Sequence, residues 1–159
     1  MATTLKNATL KVTLKEEITL NGNRQDSENV KRISDINEIS KRIVTITTTE
    51  AVIATFSAAV ASAGHYVAAN VRYIRFTNLD DDNFITLTFR NQDNDEVAIK
   101  LDAGQSFIFN GDNGNGMTAV FNATQDADAA SDTAFGSLTN IQADANTGSC
   151  DLEMFIASV

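Results

Sequence analysis

A chain of 159 residues with 43% hydrophobic and 21% charged side chains has the length and apolar content for one globular domain, which rules out a disordered chain. Its net charge of −9 argues against nucleic acid or an anionic membrane as partner, because both call for a cationic face. The single cysteine, Cys150, excludes an intrachain disulfide and reads as a buried thiol near the C-terminus.

The charge is uneven. Residues 1–42 hold eight basic and six acidic side chains, which leaves four basic against fifteen acidic in residues 43–159. Proline is absent, so no strand is interrupted by one. Threonine favours strands, and asparagine and aspartate favour the turns between them.

In chain order, Leu10, Val12 and Leu14 alternate with Lys11, Thr13 and Lys15, the period-two pattern of a half-buried strand. Ile18 and Leu20 extend it past Glu16-Glu17, and Asn21-Gly22-Asn23 turns the chain. Residues 28–43 are ambiguous: Val30, Ile33, Ile36, Ile39 and Ile43 recur at helical spacing, yet Ser34, Asp35, Asn37 and Ser40 are weak helix formers and favour strand plus turn. Arg42–Thr49 is β-branched and predicts a strand, Glu50–Phe56 another, and the Ala-rich 57–63 a short helix or loop ending at Gly64.

Val71–Thr77 and Phe84–Arg90 are the two clearest strands, joined as a hairpin by Asn78–Asn83. After a turn at Asn91–Asp95, Val97, Ile99 and Leu101 alternate. Asp102-Ala103-Gly104 leads to a strand at Ser106–Phe109, and a Gly-rich loop over 110–116 leads to one at Thr118–Asn122. Residues 123–149 carry only Phe135, Leu138 and Ile141 as large apolar side chains and read as a long surface loop holding at most one weak strand. Leu152, Met154 and Ile156 form a last strand. Eight or nine short strands at this spacing predict an all-β protein: an antiparallel β-sandwich, jelly-roll-like, in one domain spanning 1–159 with an N-terminal arm at 1–9.

Constellations for catalysis are sparse. His65 is the only histidine and no Gly-x-Ser-x-Gly elbow is present; a Cys–His pair would need the fold to join His65 to Cys150. Zinc lacks ligands. Calcium has weak candidates in Asp80, Asp81 and Asp82, with Asp93-Asn94-Asp95 and 110–116 behind them, none in the spacing of a known calcium loop. No other cofactor is expected. No spacing selects a carboxylate pair for glycoside hydrolysis, and with no tryptophan and only Tyr66 and Tyr73 a sugar-stacking platform is poorly supplied. The Asn7-Ala8-Thr9 and Asn122-Ala123-Thr124 acceptor patterns read as chance. The first residues lack a signal-peptide core, and the apolar stretch Ala51–Gly64 is too short for a bilayer, which needs about 20 residues.

The run Val71-Arg72-Tyr73-Ile74-Arg75-Phe76-Thr77-Asn78-Leu79-Asp80, with Asn83-Phe84-Ile85-Thr86-Leu87, resembles a strand–turn–strand of small jelly-roll virion proteins of tailed bacteriophages. Lys100-Leu101-Asp102-Ala103-Gly104-Gln105-Ser106-Phe107 and Lys41-Arg42-Ile43-Val44-Thr45-Ile46 followed by Thr47-Thr48-Thr49-Glu50 are similar to the same family, so the resemblance spans residues 41–109. It carries no catalytic signature and transfers no functional residue. It implies a non-enzymatic virion component made in the host cytoplasm, foremost a capsid decoration (cement) protein. Its expected partners are copies of itself and other virion proteins such as the major capsid protein, with neither nucleic acid nor membrane. A tail- or fibre-associated protein is the alternative within that class, and a carbohydrate or cell-surface binding module the alternative outside it.

Overall fold

The computed structural model describes residues 6–59, 62–110, 116 and 136–159. The described residues are all-β and contain no helix. Among the described residues are thirteen strands: β1 (Ala8–Glu16), β2 (Thr19–Leu20), β3 (Asn23–Arg24), β4 (Ser27–Ile36), β5 (Glu38–Ile46), β6 (Ala51–Ser57), β7 (His65–Val67), β8 (Val71–Asn78), β9 (Ile85–Asn91), β10 (Glu96–Leu101), β11 (Ser106–Asn110), β12 (Leu138–Ala145) and β13 (Cys150–Ser158). The count exceeds the expected eight or nine because short strands such as β2, β3 and β7 carry too few residues to show a period.

The chain forms two compact units, residues 1–38 with Val159, and residues 39–158. The first is an antiparallel ribbon of β1 and β4, with β2 and β3 paired as a second small hairpin. Asn21 and Gly22 both have positive φ, 49° and 78°, the backbone that an Asn-Gly hairpin turn requires. The helical spacing of isoleucines has its origin here. Ala8 pairs with Ile36 and Leu10 with Ile33, so Ser34-Asp35 form a bulge, with Asp35 at φ 63°. The extra residue lets Ile33 and Ile36, three apart, share a face of a strand.

The second unit, residues 39–158, is the sandwich. One sheet runs β10-β9-β12-β6-β7, the other β11-β8-β13-β5. All pairs are antiparallel except β7, which lies parallel to β6. The winding is that of a jelly roll. The chain goes out along β5, β6, β8 and β9 and comes back along β10, β11, β12 and β13, each returning strand beside its outgoing counterpart: β9 with β10, β8 with β11, β6 with β12, β5 with β13. Contacts β8–β13 and β9–β12 then complete the two sheets.

This topology corrects two local readings. Asn78–Asn83 does not close a hairpin: β8 and β9 lie in different sheets, so the segment crosses the sandwich, and the hairpin of the region is β9–β10 through Asn91–Asp95. The span 123–149 is not one surface loop, because its second half holds β12, the middle strand of the five-stranded sheet. Leu138, Ile141, Ala143 and Ala145 are buried there. The expected strand at Thr118–Asn122, the first part of the arm at 1–9 and the loop residues 123–135 fall outside the described residues.

Side chains at alternate positions of both sheets fill the space between them. Phe76, Ile74, Leu152, Met154 and Ile156 come from the four-stranded sheet, and Ile85, Leu87, Phe89 and Ile141 from the five-stranded one, all fully buried. Phe89 meets Phe107 and Phe109 of the opposite sheet, each at a ring-centroid distance of 5.7 Å. Burial of each such side chain contributes about 1.5–3 kcal/mol, and this core orders the edges where the candidate sites lie.

Candidate functional site

On β5 the inward positions are Ser40, Arg42, Val44 and Ile46, while Ile39, Lys41, Ile43 and Thr45 face outward. The outward face ties β5 to β13: Lys41 pairs with Glu153 at 3.2 Å and Thr45 donates to Asp151 at 2.9 Å. Glu153 also binds Arg75, and these hydrogen bonds hold its carboxyl below the usual carboxylate range. Arg42 is therefore a cation placed by strand alternation at the mouth of the space between the sheets.

A cleft of about 590 Å³ opens there, lined by residues of β5, β6, the turn before β7 and Ala143 of β12. Arg42 Nη2 donates to the carbonyl of Ile53 at 3.0 Å and touches Met154 Sδ at 3.9 Å. Its Nε is buried without a hydrogen-bond partner among the described residues. Gly64 closes over the guanidinium: a Cβ added there would lie 3.6 Å from Nη1 and 3.7 Å from Nη2. Gly64 has φ +82°, a conformation that glycine adopts without strain. Its carbonyl accepts from Thr55 N at 2.9 Å, which anchors β7 beside β6. His65 follows, half-buried, and lines the same cleft.

His65 and Cys150 sit in different sheets, and Cys150 does not line the cleft. The Cys150 thiol meets the Gly148 carbonyl at 3.7 Å, and burial, with Asp80 nearby, pushes its pKa up, the opposite of what a nucleophilic thiolate needs.

Asp80, Asp81 and Asp82 form the start of the crossing between β8 and β9. Asp80 Oδ1 accepts from the backbone N–H of Asp82 at 2.9 Å and of Asn83 at 2.6 Å, while its own N–H donates to Asn78 Oδ1 at 3.0 Å. These backbone donors lower the Asp80 pKa. Asp81 and Asp82 are exposed. The second Asp/Asn cluster is locked in the same manner: Asn91 Oδ1 accepts from Asp93 N at 2.9 Å and Asp95 N at 2.8 Å. Among the described residues no three His, Cys, Asp or Glu side chains are grouped to hold a metal ion. The third cluster, 110–116, lies mostly outside the described residues.

Three residues outside the sequence motifs, Arg42, Asn78 and Asn91, organise these places. Arg42 is legible in the sequence only as a basic residue of a β-branched strand. Asn78 and Asn91 carry the two turns from buried positions, and an Asn at the end of a strand just before an Asp-rich run is the available signal. A different surface distinguishes the first unit, where Leu14, Ile18, Leu20 and Val30 are 45–55% exposed. Comparison of the chain with protein-family models, with curated proteins and with solved structures returned no match to any of them.

Proposed function

We propose that this chain is a non-enzymatic structural protein of a phage virion, a capsid decoration protein that stabilises the head lattice by packing against copies of itself and the major capsid protein. The carrying observation is the β1–β4 ribbon. A two-stranded ribbon encloses no core of its own and is marginal in water, yet this one runs nine and ten residues per strand with Leu14 and Val30 open to solvent. Exposed apolar side chains on an extended strand pair suit an element that is covered on assembly. The sequence resemblance over 41–109 and the jelly-roll winding support the same reading, and the acidic body keeps the free protein dispersed beforehand.

The test is mass by light scattering on the purified protein, alone and mixed with emptied phage heads. A defined oligomer or stoichiometric retention on the heads is the expected result. A monomer that ignores the heads overturns the decoration reading and sends the search to tail fractions and glycans.

A further inference from the structure

The cleft between β5 and β6 holds an unusual cation. Of the five N–H donors of a guanidinium, the described residues give Arg42 one oxygen acceptor, the Ile53 carbonyl, and one sulfur contact, both at Nη2. Nε is buried and unsatisfied. No carboxylate among the described residues pairs with Arg42, although the chain carries 21 acidic side chains and six other cations are so paired. Leaving a part-buried charge without a counter-ion is unfavourable, and so is a buried donor without an acceptor. The unpaired charge is relieved by an anion entering the cleft, since a guanidinium offers a fork of donors that matches a carboxylate and Nη1 has no acceptor among the described residues.

The rest of the lining sets the class of ligand. Val44, Ile46, Ala54 and Ala143 are apolar, Thr55 and His65 supply polar edges, and the volume of about 590 Å³ lies in the range of small-molecule sites. One guanidinium matches a single negative charge. We propose that this cleft binds a small organic monocarboxylate, its head on Arg42 and its short aliphatic body on the apolar walls. The site is independent of the assembly role, because it lies inside the sandwich unit and uses none of the ribbon residues.

The experiment is a titration of the full-length ¹⁵N-labelled protein with sodium octanoate, with 1-octanol as the uncharged analogue, followed by amide shifts. The expected result is saturable shifts centred on residues 42–47, 51–55 and 63–65, with a dissociation constant of about 10 mM or tighter. Octanol and the variant Arg42→Gln should each bind about tenfold more weakly, since a hydrogen-bonded charge is lost, and Arg42→Lys should fall between. Absence of saturable shifts in this region, or octanol binding as tightly as octanoate, overturns the proposal. If Arg42→Gln loses the dispersed spectrum of the fold, the octanoate–octanol comparison on the natural protein decides alone.

Discussion

The side-chain amide of Asn78 donates to the backbone carbonyl of Leu101 at 3.1 Å, joining the end of β8 to the end of β10 across the sandwich. The same amide donates to the carbonyl of Asn83 at 2.8 Å, and its oxygen accepts from Asp80 N. The backbone of Asn78 completes the junction, its N–H on the Gln105 carbonyl and its carbonyl on Gly104 N. Both sheet crossings of this end, 79–84 and 102–105, are thus held by one fully buried residue. Replacement by Ala strands the buried Leu101 carbonyl, the part-buried Asn83 carbonyl and the Asp80 N–H. Asn78→Ala should destabilise by about 2–4 kcal/mol, read as a lower urea midpoint at unchanged slope. A loss under about 0.5 kcal/mol would show that water replaces the amide freely.

Asp80 makes the neighbouring turn sensitive to acid. Its folded pKa lies below its unfolded one because two backbone N–H groups favour the carboxylate. The stabilisation is fully present above the unfolded pKa and is lost as pH falls through the folded value, below the usual carboxylate range. Asp80→Asn keeps an acceptor oxygen and removes the charge. It should be less stable than the natural protein near neutral pH, and the two unfolding midpoints should converge as pH falls to about 2. A gap that persists there would assign the difference to packing and not to ionisation.

The strands that alternate cleanly, such as Val71–Thr77 and Phe84–Arg90, are legible because one face of each is buried and period two survives in the sequence. Their pairing is not, since a loop of six residues serves a hairpin or a sheet crossing equally and only the long-range partners decide. Two elements are only partly legible, for definite reasons. The bulge at Ser34-Asp35 turned a strand period into an apparent helical one. β12 reads as no more than a weak strand in a loop because its interior side chains include Ala143 and Ala145, small enough to look like loop composition while packed in mid-sheet. Among functional candidates, the Asp-rich turn attracted attention by its charge, whereas Arg42 was hidden in a strand whose inward phase is visible only once β5 is placed.

Ile141 discriminates directly between the loop and strand accounts of that region. Its side chain is fully buried in β12, with its backbone between Ala54 of β6 and Phe89 of β9. Ile141→Ala should cost about 2–5 kcal/mol, the range for a truncated core aliphatic that leaves a cavity. A surface-loop residue would change stability by less than about 0.5 kcal/mol. Thermal unfolding followed by far-ultraviolet circular dichroism separates the two.

The buried thiol offers a probe of the same unit. Cys150 is shielded at the start of β13, and burial holds it as the less reactive thiol form. Labelling by a maleimide should be slow in the native protein and should accelerate sharply across the urea transition. Fast labelling without denaturant would mean that the end of β13 opens locally.

The ribbon carries the assembly reading, so substitution in its unit should separate assembly from folding. Leu14 on β1 and Leu20 on β2 are 49% and 55% exposed, and neither belongs to the sandwich core. Leu14→Ser with Leu20→Ser should leave the sandwich's thermal transition within about 0.5 kcal/mol of the natural one, as exposed substitutions do. Retention on capsid lattices should drop by tenfold or more, the loss expected when about 1.4 kcal/mol or more of apolar burial is removed from an interface. Co-sedimentation with emptied heads, beside a calorimetric scan of the free variant, reads both quantities. Undiminished retention would place the contact on the sandwich and remove the ribbon from the docking surface.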